Sequence, residues 1–168
     1  DEKLDSELHN KGWVPLKEPS SLVISLLLAI PFMAINVVIA IASINIFSNI
    51  SFAEFGLSPD SFSISINIGT ILIILLLIIF HELLHLFFIP NFMQSKKTYV
   101  GFIWLGGFVV TEEEITKPRY LLITIAPFVT ISIIMPIILG ALGFLTSTVK
   151  LVVLFNALAS SVDMLTFF

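Results

Sequence analysis

Four stretches of this chain are long and apolar enough to cross a bilayer, and that constrains the fold more than anything else in the sequence. They cover residues 22–47, 64–89, 120–145 and 149–168. About 20 apolar residues span the hydrocarbon core as a helix. A lone strand in lipid would leave its backbone groups without partners, so each stretch is expected to be helical. Composition agrees: 57% of the 168 residues are hydrophobic and 12% are charged, against roughly 25% charged in a soluble domain. The fold expected is an all-α polytopic membrane protein, with 1–168 as one domain and a polar tail over 1–20.

The N-terminus does not read as a signal peptide. The first 20 residues are polar and mixed in charge, unlike the basic-then-apolar opening of a signal peptide. The chain opens at Asp1 rather than Met and ends at Phe168 within an apolar run, so further residues are expected at both ends. There is no cysteine, hence no disulfide or thiolate metal site. A net charge of −4 with scattered basic residues argues against nucleic acid as a partner.

The connections between stretches differ. Residues 48–63 hold turn formers at Gly56, Pro59 and Asp60. Residues 90–118 contain two β-prone runs, 98–105 and 108–111, which flank Gly106-Gly107 and read as a hairpin with a Gly-Gly turn. Lys3, Lys11 and Lys17 precede the first stretch, and Lys96, Lys97, Lys117 and Arg119 follow the second, whereas the opposite side has only Lys150. That bias places the N-terminus and the hairpin in the cytoplasm.

The second stretch carries His81-Glu82-Leu83-Leu84-His85, an H-E-x-x-H. Histidines four apart lie about 40° apart around a helix, so both imidazoles can bind one zinc ion. The glutamate between them can take a proton from a metal-bound water. Ionisable groups in a span are costly and usually functional, which sharpens the motif. Asn67 and Thr70 fall within about 40° of the His81 direction, giving the helix one polar face.

A catalytic zinc usually has a third protein ligand. His9 lies in the polar tail, and Glu112, Glu113 and Glu114 form a run that water can solvate. Asp163 is the lone acid of the fourth stretch, and Asn156, Ala159 and Ser160 precede it by seven, four and three residues, on one helical face. The cost of a carboxylate in a span favours Asp163 as the ligand. Depth agrees under the cytoplasmic topology: His81 lies ~26 Å and Asp163 ~21 Å from the outer ends of their stretches.

These residues resemble intramembrane zinc metalloproteases of the site-2 protease class and, more closely, a bacterial family of membrane zincins. The resemblance rests on Gly12-Trp13, Lys17-Glu18-Pro19, the H-E-x-x-H, and a late Asn156…Ser160…Asp163. Ala126-Pro127 stands where site-2 proteases have Ala-Gly-Pro. The resemblance implies zinc held by His81, His85 and Asp163, with Glu82 as general base and then proton donor. It implies Asn156 on the scissile carbonyl or its oxyanion, and a transmembrane or membrane-adjacent peptide as substrate, held along the hairpin edge. The expected location is a bacterial cytoplasmic membrane, with the active site towards the cytoplasm by the charge bias and the depths above. A zinc-binding membrane scaffold without hydrolysis and a metal or proton transporter are the alternatives.

Overall fold

The computed structural model describes residues 6, 9–13, 21–58, 61–62, 68–96, 98–103, 106–111 and 113–167. Lys17, Glu18, Pro19, Asn67, Lys97 and Glu112 lie outside the described residues, as do residues 64–66 and 168 of the expected spans. The described part is mostly helical. Three helices have the length and apolarity to cross a membrane: α1 (Leu22–Asn45), α2 (Ile68–Phe88) and α3 (Lys117–Ala141). Their runs are rich in Ile, which favours strands in water. In an apolar setting the backbone must satisfy itself, and the helix does so within one segment.

The helix ends are set by identifiable residues. Arg119 Nε donates to the Phe88 carbonyl at 2.9 Å, tying the end of α2 to the start of α3. Pro90 follows shortly, where no helix can continue. Gly143, at φ 78°, closes α3. Phe144 N–H bonds the Leu139 carbonyl at 2.7 Å and Gly143 N–H the Gly140 carbonyl at 3.0 Å, as a left-handed glycine cap allows. Within α3, residues Phe128–Ile134 widen into a π-helical segment directly after Pro127.

Helix α4 (Ser147–Asp163) has 17 residues and runs into a 3₁₀ turn, Met164–Phe167. It is therefore shorter than the expected fourth stretch and than the other three helices. One of its faces is buried in the bundle. Val153, Asn156, Ala157, Ser160 and Ser161 are buried, and Ala40 and Ile44 of α1 with Phe128 of α3 complete the core around Val153 and Ala157. Asn36 of α1 donates from Nδ2 to Ser161 Oγ at 3.0 Å and to the Ala157 carbonyl at 3.3 Å. Small residues let these helices approach closely, and a polar group so enclosed must be bonded. The outward faces of α1 and α2 remain strongly apolar, with Val23, Leu27, Val38, Leu76 and Phe87 exposed. Such faces suit lipid rather than water.

The 48–63 linker is more structured than its turn residues suggested. It contains a 3₁₀ turn (Phe52–Phe55) and a two-residue ladder of β1 (Leu57–Ser58) with β2 (Ser61–Phe62). Ser51 and Glu54 form a reciprocal capping box at the turn. Glu54 also receives Lys150 Nζ at 2.8 and 3.1 Å, and Lys150 donates to the Asn49 carbonyl at 2.7 Å. The first turn of α4 is thereby fastened to this linker. The lysine bond holds the Glu54 carboxyl below its ordinary pKa, helped by the Ser51 N–H.

The hairpin forms, but Gly106 and Gly107, expected as its turn, lie within its second strand. Strand β3 (Thr98–Ile103) pairs antiparallel with β4 (Gly106–Thr111), and Ile103 faces Gly106. Residues 104 and 105 lie outside the described residues, while Gly106 and Gly107 belong to β4. Two local fits set this register. The Phe108 ring lies over Gly101, where a Cβ would collide with it. Thr98 and Thr111 share a hydroxyl bond of 2.9 Å. A turn at Gly106-Gly107 would lose both.

Candidate metal centre

His81 and His85 lie one turn apart on α2, and Asp163 is the last residue of α4. Their side chains converge. His81 Nε2 is 3.1 Å and His85 Nε2 is 3.4 Å from Asp163 Oδ2, and the two Nε2 atoms are 3.2 Å apart. Ligand atoms about 2.0–2.1 Å from a tetrahedral zinc sit ~3.3 Å from one another. The triangle seen here has that size. Among the described residues, these three form the one group of His, Asp or Glu side chains able to hold a metal ion.

Hydrogen bonds behind the histidines decide which ring nitrogens face the triangle. His85 Nδ1 is 2.9 Å from the Ile123 carbonyl, which can only accept, so Nδ1 carries the proton. Asn156 Nδ2 lies 3.1 Å from the Pro127 carbonyl and 2.9 Å from Ser132 Oγ. The carbonyl cannot donate, so the NH₂ end of the amide must face it. Asn156 Oδ1 then faces His81 Nδ1 at 2.9 Å and accepts its proton. In neutral rings both Nε2 atoms then present lone pairs. With both rings neutral, two lone pairs and a carboxylate oxygen meet with no proton among them. Such a cluster repels itself unless a cation sits between its members. The donor set therefore fits a zinc ion in ligand type, tautomer and spacing.

Beside the triangle is a cavity of about 270 Å³. Glu82, His85 and Asp163 line one side; Val109 and Thr111 of β4, with Tyr120, Ile123 and Thr124 of α3, line the others. Glu82 thus borders the same space as two members of the triangle. Asn156 does not. It is fully enclosed, with its amide committed to Pro127, Ser132 and His81. Asn156 was expected on the scissile carbonyl or its oxyanion; here it stands behind His81, with both ends of its amide engaged.

The other sequence candidates fall elsewhere. Ser95 Oγ donates to Glu113 at 2.6 Å at the base of the hairpin, and Glu114 is exposed. Ser160 is buried against Asn156, whereas Ala159 is exposed. Thr70 lies towards α4, near Thr148 and Leu151, on the same side of α2 as His81. Sequence reading missed Asn36, Ser132 and the Ile123 carbonyl. Asn36 had a signal, as an amide in the middle of an apolar run; the carbonyl had only Pro127, four residues on.

A glutamate between two helix-borne imidazoles, with a distant carboxylate completing the donor set, is the arrangement of a zinc peptidase centre. Residues 73–168 match the model of the family named putative zincin peptidase, and the chain belongs to that family. Membership points to metallopeptidase activity and implies zinc as the cofactor. No curated protein and no solved structure matches the chain significantly.

Proposed function

We propose that this protein is an intramembrane zinc metallopeptidase related to the site-2 protease class, cleaving transmembrane or membrane-adjacent peptides. The observation that carries the reading is the meeting of His81 Nε2, His85 Nε2 and Asp163 Oδ2 at 3.1–3.4 Å beside a cavity that Glu82 borders. In it, His81, His85 and Asp163 hold the metal. Bound there, zinc supplies a Lewis acid for a carbonyl and an acidified water. Glu82 would take a proton from a water in the cavity it borders and later deliver it to the leaving amine. Asn156 and the Ile123 carbonyl keep both rings in the tautomer that binds metal.

Strand β4 gives the substrate a place to lie. In an antiparallel pair, residues alternate between those that bond across and those whose N–H and C=O point outward. The close Thr98–Thr111 side-chain pair marks a pair that does not bond across, and Val109 shares its parity. Val109 and Thr111 also line the cavity. An extended peptide can therefore add to β4 through backbone bonds, with its scissile bond near the metal. Helix α4 lies within the bilayer as a fourth, shielded segment, and the hairpin is on the cytoplasmic side, where Lys96, Lys117 and Arg119 gather.

The test is peptide cleavage by purified protein in detergent, with zinc measured on the same sample. Glu82→Gln should keep zinc and abolish cleavage. Cleavage undiminished in Glu82→Gln would sink the assignment of Glu82 and with it the mechanism.

A further inference from the structure

In an α-helix the carbonyl of residue 123 accepts the N–H of residue 127. Here residue 127 is proline and has no N–H to give. The next donor does not replace it, because the Phe128 N–H bonds the Ile125 carbonyl instead. The Ile123 carbonyl is thus left without its helical partner, inside the bundle, where an unbonded carbonyl is costly. What it receives is His85 Nδ1 at 2.9 Å. The carbonyl of Pro127 itself receives Asn156 Nδ2 at 3.1 Å, and that bond turns Asn156 Oδ1 towards His81. Both histidines are therefore oriented from one short stretch of α3, where the helix changes from α to π winding. Such changes of winding recur at functional sites.

We propose that Pro127 is a positioning residue of the metal centre: by withholding an N–H from the Ile123 carbonyl, it leaves that carbonyl to His85 and so presents His85 Nε2 to zinc. This rests on the zinc peptidase reading above. The effect lies in a missing donor and not in the shape of the ring. An alanine at 127 restores the N–H, which then competes with His85 for one carbonyl. His85 loses its orienting bond, and its proton is free to move to Nε2, the atom needed for the metal. Loss of an outer partner of this kind typically costs 10–100-fold in metal affinity.

Two readouts on three variants decide the matter. One is zinc affinity by chelator competition. The other is the His85 tautomer in the metal-free protein, read from imidazole ¹⁵N shifts. Pro127→Ala should bind zinc at least about tenfold more weakly and should move His85 towards the Nε2–H form. Lactic acid at position 127 gives a backbone ester with the methyl side chain of alanine and no N–H. It should keep wild-type affinity and the Nδ1–H form. Pro136→Ala, an equally buried proline of the same helix away from His85, should change neither. Equal loss in the alanine and ester variants, or wild-type behaviour of Pro127→Ala, would overturn the proposal. If Pro127→Ala does not fold, the ester variant decides alone: loss of affinity or of the Nδ1–H form there overturns it. If the wild type holds no zinc, the peptidase reading fails, yet the tautomer measurement still tests Pro127.

Discussion

Asn156→Ala removes the oxygen that accepts from His81 Nδ1 and the NH₂ that holds the Pro127 carbonyl and Ser132 Oγ. The structure separates two effects. Losing the His81 bond frees the ring to rotate or change tautomer, and outer-shell losses of this kind cost 10–100-fold in metal affinity. That is about 1.4–2.8 kcal/mol of binding free energy. Losing the NH₂ leaves a buried carbonyl without this donor, at about 1–3 kcal/mol of stability. Ser132 is spared the full loss because its hydroxyl still donates to the Val153 carbonyl at 3.1 Å. Asn156→Asp divides the effects. It keeps an oxygen towards His81 but sets a second oxygen against the Pro127 carbonyl, so it should lower stability and spare zinc. Chelator competition for zinc and thermal melting in one detergent measure both quantities. Wild-type zinc affinity in Asn156→Ala, with only the turnover number reduced, would refute this reasoning. It would return Asn156 to direct contact with the substrate carbonyl.

Three further outcomes follow from other parts of the molecule. Val109→Pro removes an outward N–H of β4 without touching the ladder to β3, so it should reduce peptide cleavage several-fold and leave zinc in place; unchanged cleavage would detach the hairpin from substrate binding. Because the Glu54 carboxyl titrates below its ordinary value of 4.5, its bond to Lys150 stabilises the protein above that pH and is lost as pH falls through the lowered value. Melting of Glu54→Gln should therefore lie below wild type at pH 7 and approach it under strong acid; a constant gap at all pH values would contradict the sign. In a chain without cysteine, Ser58→Cys should label from outside intact cells and Ser95→Cys should not, and the opposite pattern would invert the orientation.

The parts of this molecule that sequence revealed are those with a period or a cost. The H-E-x-x-H is legible because four residues are nearly one helical turn, and Asp163 because a carboxylate is conspicuous in an apolar run. Depth put them at similar levels, but their meeting at 3.1 and 3.4 Å required the structure, since a shared level does not fix which helices pack together. Asn156 was visible as a polar residue on the Asp163 face, but its direction was not. Which way an amide points depends on Pro127 and Ser132, on another helix. The hairpin turn went to the wrong pair because Gly-Gly is a strong local signal, while the fit of Phe108 over Gly101 acts across strands. The role of the Ile123 carbonyl was illegible because a backbone group has no letter, and only the proline four residues later hints at it.

Zinc bound per chain, measured across a short mutant series, decides whether His81, His85 and Asp163 form the metal site. Wild type should carry about one zinc, in keeping with a single catalytic site. Asp163→Ala should weaken binding by at least about tenfold, since it removes a ligand rather than an outer partner. Gln at 112, 113 and 114 together should leave binding nearly unchanged, because Glu113 is engaged by Ser95 and Glu114 lies exposed. If the triple Gln variant loses zinc while Asp163→Ala retains it, then α4 is only a packing helix and the centre described here is not the metal site.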